Sequence, residues 1–289
     1  MPLNTVNSIL SGYNTSLTYI FYKATVPKAA NTFASTYYAA NLPGADGRPG
    51  GSDVATSGLI LTSSLPTPTS SGHFYFPPFV DGGKNAYLTR LEYHSSSMTS
   101  VTLADRLWQI RGINTSSLGW QSAPSLPWPD RCPPENNTNM YMPNNSGFGI
   151  FIGVEITSGT SNGLTKSDIM LDYTNSLGVT GRMATLPTIS ALAVATQFCP
   201  FILDSGDTGV QSVQRFSLGS TYALSGALIL VAYRPIVTVN APFTAGTPGI
   251  HDAISLGAPL LYSGSVPFFI TLNSSTAANI FGNMTYSIY

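Results

Sequence analysis

Residues Phe148 to Thr157 read Phe-Gly-Ile-Phe-Ile-Gly-Val-Glu-Ile-Thr. One face carries Phe148, Ile150, Ile152, Val154 and Ile156; the other carries Gly149, Phe151, Gly153, Glu155 and Thr157. A period of two held over so long a run is the pattern of a β-strand with one face in a core. The glycines on the second face predict close approach by another backbone. After a polar turn from Thr157 to Lys166, Ile169, Leu171 and Tyr173 alternate with Asp168, Met170 and Asp172. This predicts the partner strand of a hairpin.

The same pattern recurs along the chain. Tyr87, Leu91 and Tyr93 alternate with Arg90, Glu92 and His94, and Leu103 to Ile110 reads as the next strand. Gln211 to Leu218 and Ala227 to Tyr233 predict a second hairpin. The run from Ala227 to Tyr233 is continuously apolar, as in a central strand covered on both faces. The 27 Gly and 21 Pro punctuate short apolar stretches, the mark of many strands joined by turns. Helical periodicity never persists; its best candidate, Ile189 to Thr196, is short and lies between Pro187 and Pro200. These elements predict a β-sandwich from about Ala86 to Arg234, within a core of residues 73–235. Residues 1–72, rich in Ser, Thr, Asn and Gly, predict a partly extended N-terminal arm that orders on contact with neighbours. Residues 236–289 predict a Pro/Gly-rich linker and two late strands, Val266 to Leu272 and Asn279 to Tyr289.

Charge narrows the functional classes. Only 9% of the 289 residues are Asp, Glu, Lys or Arg, against about 25% in average soluble domains. Ser, Thr, Asn, Gly and Tyr must therefore coat much of the surface. Such a surface suits lasting protein–protein contact, because few charges need desolvating when a partner docks. A net charge of −1 and the lack of any basic cluster beyond Lys23 and Lys28 argue against direct nucleic-acid binding. The N-terminus lacks the basic and apolar regions of a signal peptide, and Ala227 to Tyr233 is too short to span a bilayer. The expectation is a chain made in a cytoplasm with no membrane partner. Cys132 and Cys199 are expected to be free.

No reading of the motifs favours catalysis. His73, His94 and His251 lie too far apart in sequence for a metal-ligand spacing. Gly159-Thr160-Ser161-Asn162-Gly163 matches the nucleophile-elbow pattern, but it falls in a polar loop between strands, with no helix after it. Asp207-Thr208-Gly209 matches the aspartic-protease signature once, without the second carboxylate that chemistry needs; Leu203 to Gly209 reads as a turn, with Asp and Gly supplying side-chain bonding and positive φ. Trp108, Trp120 and Trp128 are expected in core and interface, with sugar stacking as the rival use. The expectation is no catalytic residue, no cofactor and no metal.

Several segments resemble a group of tailed-bacteriophage virion proteins. They are Asp105-Arg106-Leu107-Trp108, Gly149 to Ile156, Tyr173 to Arg182, Gly206 to Gln214 and Leu230 to Pro235, with a fainter likeness from Val266 onward. The resemblance does not reach residues 1–72. It implies a particle component, such as a capsid decoration or neck protein, and brings no catalytic residues. Taken together, the expectation is an all-β, jelly-roll-like antiparallel β-sandwich with an extended N-terminal arm and a C-terminal strand extension. Its function would be that of a capsid decoration (cement) protein that binds and stabilises the head. The expected partners are copies of itself, as a homotrimer, and the major capsid protein or other virion proteins. The rings of Tyr19, Phe21, Tyr22, Tyr37 and Tyr38 are the candidate interface. The alternative is a carbohydrate-binding adhesin, or a tail or neck component of the particle.

Overall fold

The computed structural model describes residues 7, 16–26, 37–41, 59–60, 86–95, 98–110, 113, 117–123, 147–156, 169–186, 197–219, 228–240, 247–261, 265–273 and 278–288. Within them the chain is all-β, and every strand pairing is antiparallel. The strands are β1 (Ser16–Val26), β2 (Tyr37–Asn41), β3 (Leu59–Ile60), β4 (Ala86–Ser95), β5 (Met98–Ile110), β6 (Gly119–Ser122), β7 (Phe151–Ile156) and β8 (Met170–Asn175). After them come β9 (Arg182–Thr185), β10 (Gln197–Pro200), β11 (Val210–Leu218), β12 (Leu228–Asn240), β13 (Gly249–Asp252), β14 (Leu260–Leu261), β15 (Pro267–Asn273) and β16 (Ala278–Ile288). One helical turn, α1 (Ala253–Leu256), follows β13.

The central sheet closes on itself. β12 pairs with β7, β7 with β10, β10 with β2, β2 with β15, β15 with β5, and β5 again with β12; β3 adds to β5. Closure removes the unpaired edges that an open sheet would present. Its inside holds Ala104, Phe198, Ile229, Val231, Tyr233, Phe268 and Ile270. Phe198 meets Tyr233 and Phe268 edge-on, with ring centroids 5.3 Å and 6.0 Å away.

Two further sheets sandwich its outer face. A four-stranded sheet, β6-β11-β8-β9, buries Leu171, Tyr173, Ala184, Val210, Val213, Phe216 and Leu218 against Ile152, Val154, Ile156, Trp108, Leu228 and Leu230 of the closed sheet. A five-stranded sheet, β1-β16-β4-β13 with β14 beside β4, buries Leu88, Leu91, Tyr93, Met284 and Tyr286 against Val101, Leu103, Val239 and Phe269. β12 therefore has both faces covered over its apolar half, as its continuous apolar run requires: Leu228 and Leu230 point out, while Ile229 and Val231 point in.

The apolar face expected in Phe148 to Thr157 is buried, but so is the opposite face at Gly153 and Glu155, and Thr157 lies outside the described residues. Ile150, Ile152, Val154 and Ile156 are all fully buried on one face. The strand starts at Phe151, however, because Gly149 takes a φ of 69° and breaks the ladder. The close approach expected at the glycines is made at Gly153 by a ring instead of a backbone. A Cβ there would lie 2.4 Å from Cζ of Phe198.

Both predicted hairpins are corrected. β7 and β8 lie in different sheets packed face to face, and so do β11 and β12. Alternation reports which residues face a core, and both members of each pair face the same core; it does not report whether two strands share a ladder or a packing interface. Strands from the expected arm, core and tail segments pair with one another. β1 pairs with β16, β2 sits between β10 and β15 in the ring, and β3 pairs with β5. The five-stranded and closed sheets each draw strands from all three expected segments. The late strands appear as β15 and β16. The helical candidate at Ile189 to Thr196 and the turn from Thr157 to Lys166 lie outside the described residues.

Candidate functional site

The densest polar cluster stands at one end of the four-stranded sheet, and Asp207 is its centre. Tyr173, last but two in β8, donates its hydroxyl to Asp207 Oδ2. Asn175 Nδ2 donates to Asp207 Oδ1 at 2.7 Å, and Arg182 Nε donates to Oδ2 at 2.9 Å. Arg182 also meets Asp204 at 3.2 Å, and the Asp204 amide donates to the Tyr173 hydroxyl at 3.0 Å. The residues around Asp204 form the turn read from the sequence: the Asp207 amide donates to the Asp204 carbonyl at 3.1 Å, and the Ser205 amide to Asp204 Oδ1 at 2.8 Å.

These contacts set the protonation states. Burial pushes the Asp207 carboxyl up, but hydrogen bonds from Tyr173, Asn175 and Arg182, with the Arg182 charge, outweigh it and hold the group below the usual carboxylate range. Burial, then the bond to Asp207, pushes the Tyr173 phenol up to about 12. Both shifts move the group away from neutral pH, so one stays anionic and the other stays protonated. A general acid or base needs the opposite, a pKa brought towards the working pH. The cluster therefore acts as a clamp joining β8, β9 and the 204–209 turn.

A second cluster is inside the closed sheet. Arg106 Nη1 lies 2.7 Å from Glu155 Oε2, and both side chains are fully buried. Arg106 also donates to Gln109 Oε1 at 2.8 Å and lies over the Phe268 ring. Beside it, Asp105 accepts from Ser265 Oγ at 2.9 Å and from the Val266 amide at 2.8 Å, with Arg234 at 3.8 Å. Arg106 and Glu155 thus join β5 to β7 inside the ring, while Asp105 joins β5 to β12 and to the residues just before β15.

Arg215 and Asp172 pair at 2.6 Å on the outer face of the four-stranded sheet, and Arg90 pairs with Glu92 at 3.0 Å and Asp252 at 3.9 Å on the five-stranded one. The Arg90 hydrogen bond holds the Glu92 carboxyl below its usual range. Every arginine, aspartate and glutamate whose side chain is described thus has an opposite charge within this chain. The scarce charges hold the fold. The described surface carries instead large apolar residues, among them Leu118, Leu177, Val179, Ile202, Ile254, Leu256 and Phe281.

The residues singled out from the sequence are scattered. The backbones of Tyr19, Phe21 and Tyr22 lie in β1, opposite Met284, Gly282 and Phe281, and those of Tyr37 and Tyr38 lie in β2; their side chains are outside the described residues. His94 stacks on Phe281 with centroids 4.8 Å apart, His251 is buried with Nε2 3.1 Å from the Gly257 carbonyl oxygen, and His73 is outside the described residues. Burial pushes the Cys199 thiol up to about 12, which makes it inert; Cys132 is outside the described residues. The Gly159 to Gly163 motif and Trp128 are outside them too. Trp108 is core, whereas Trp120 is 39% exposed with the Arg215 guanidinium 4.5 Å from its ring centroid. Sequence reasoning saw the Asp207 turn but missed the clamp. Its nearest signal was Asn175-Ser176-Leu177-Gly178, a turn composition directly after a strand.

No helix among the described residues is long and apolar enough to cross a membrane. No family model, curated protein or solved structure matches the chain.

Proposed function

We propose that this chain is a structural protein of a tailed-bacteriophage particle, a capsid decoration (cement) protein that binds the head as a homo-oligomer and stabilises it. The observation that supports it best is the internal pairing of the described charges. A surface left to hydroxyls, amides and apolar side chains has little charge to desolvate on docking, which suits permanent assembly. The resemblance supports the same reading, because two of its segments, Tyr173 to Arg182 and Gly206 to Gln214, are the two halves of the Asp207 clamp. Many weak symmetric contacts on a capsid lattice would add up through effective concentration. The reading makes the protein a non-enzyme.

The test is a density map of native particles carrying this chain, together with particles assembled without it. The chain should trace on the head surface, and particles lacking it should release DNA at lower temperature, with wild-type release restored by adding purified protein. Particles that contain no copy of the chain would overturn the proposal.

Trp120 favours a second reading, the carbohydrate-binding adhesin. Its indole is exposed and stands beside Arg215 and Asp172 on an otherwise hydroxyl- and amide-bearing face, with Thr174, Ser212 and Gln214 joined by hydrogen bonds. Binding on a glycan array, lost in Trp120→Ala with unchanged melting, would select it over the cement reading.

A further inference from the structure

We propose that the outer face of the four-stranded sheet binds a carboxylate-bearing sugar, with Arg215 as its anion contact and Trp120 as its apolar platform. The inference rests on the carbohydrate-binding reading above and narrows its ligand class, and its test is built so that the two can fail separately.

A bulge builds the site. Val213 and Phe216 both face the core, which strict alternation would forbid, because the ladder between β11 and β8 shifts between Val213 and Arg215. Gln214 and Arg215 therefore both stand exposed, side by side. Bulges re-aim side chains in this way, often next to functional sites. On β6, Trp120 lies opposite Ser217 and Ser122 lies opposite Arg215. That register brings the indole under the guanidinium, whose Cζ is 4.5 Å from the ring centroid.

What each group still has to offer decides the ligand. Asp172 accepts from Arg215 Nε at 2.6 Å, and neither Nη has a partner among the described residues. The carboxylate and the indole hold the guanidinium, while its two Nη groups, on a half-exposed side chain, form a fork that suits a planar carboxylate. The same guanidinium lies over the indole ring that a neutral sugar would stack on. Arg215 thus takes away part of what a neutral ligand would use and adds what an acidic one would use. Gln214 Nε2 donates to Thr174 Oγ1 at 3.1 Å and to Ser212 Oγ at 2.8 Å, which keeps its Oε1 available to accept from a sugar hydroxyl. The cations in the strands of this sheet are Arg182 and Arg215, and Arg182 is held by Asp204 and Asp207. One available guanidinium matches one carboxylate; a densely anionic chain would need clustered cations.

The test is binding of the full chain to immobilised glycans ending in glucuronate or sialate. The comparison ligands are the same glycans with the carboxyl reduced to an alcohol, neutral hexose glycans, and sulfated ones. Wild-type protein should bind the carboxylate glycans, and the reduced forms about tenfold or more weakly, the weight of a charged hydrogen bond. Arg215→Gln should lose that preference with unchanged melting. Arg215→Lys, which keeps the charge without the fork, should recover only part of it. Should Arg215→Gln misfold, the carboxyl-reduced glycans still decide, because they need no variant. Equal binding of carboxylate and reduced glycans, a preference for sulfated ones, or a folded Arg215→Gln that keeps the carboxylate preference would each overturn the proposal and leave the carbohydrate-binding reading standing. Binding to no glycan would overturn both.

Discussion

Arg106 inside the closed sheet and Arg182 at the end of the four-stranded sheet each meet a carboxylate, at 2.7 Å and 2.9 Å. The first pair is wholly buried; in the second, Arg182 is 28% exposed and Asp207 5%. Inside the ring both ions have left water, so their attraction must first offset a large desolvation cost, and a hydrophobic pair of like volume could hold the space as well. What the ion pair adds is discrimination, because a register slip in β5 or β7 would leave one charge buried alone. At the rim Arg182 keeps part of its hydration, and the cluster's value lies in geometry, fixing a turn and a loop. The same residue types thus secure strand register in one place and surface shape in the other.

Removing a strand from the ring should break the comparison outright. Deleting residues 2–72 takes β2 from between β10 and β15, and the truncated chain should show no cooperative melting by circular dichroism. A stable, cooperatively melting product would mean that these residues are dispensable to the core. The next largest effect is expected for Glu155→Ala, which leaves Arg106 buried opposite no carboxylate and should cost about 3–5 kcal/mol in urea unfolding. The double change Arg106→Met/Glu155→Leu should recover most of that loss; if it does not, the pair contributes more than register.

Gly153→Ala tests the packing beside that pair. With Phe198 Cζ only 2.4 Å from the added Cβ, overpacking should cost about 1–3 kcal/mol, and Phe198→Leu in the same chain should relieve part of it. The rim should yield the smallest change, at roughly 1 kcal/mol for Tyr173→Phe, the loss of one set of hydrogen bonds. It also has a pH signature. The Tyr173 phenol is raised in the folded chain to about 12, so its contribution is intact below about pH 10, the unfolded value, and is lost as pH rises through the folded one. Alkaline melting curves of wild type and Tyr173→Phe should converge over that interval. For Asp207, lowered by its partners despite burial, the contribution is present above the ordinary carboxylate range and falls away as pH drops through the folded value.

Much of the strand content was readable because burial on a pleated surface imposes a period of two. The sequences of Ile150 to Ile156 and Tyr87 to Tyr93 show it directly, and the continuous run in β12 marked a strand covered on both faces. The clamp was readable only in part. Asp204 to Gly209 announced a turn, but nothing local linked Asp207 to Tyr173, 34 residues earlier, or to Arg182. The buried role of Glu155 was hidden for a related reason: on a strand whose other face is apolar, a carboxylate looks like a solvent residue until something closes over it.

By itself, then, the sequence determined a strand-rich chain, the faces of its strongest strands, and a surface with few charges available for recognition. Only the tertiary structure decided which strands share ladders, that β5 and β12 meet to close a ring, and that β1, β2 and β3 belong to the same sheets as the rest. The physical reason is that alternation is a local response to having a core on one side. Pairing is a choice among many chemically equivalent backbone edges, settled by long-range contacts such as Tyr19 opposite Met284 or Phe268 opposite Asn41, which no short window of sequence contains.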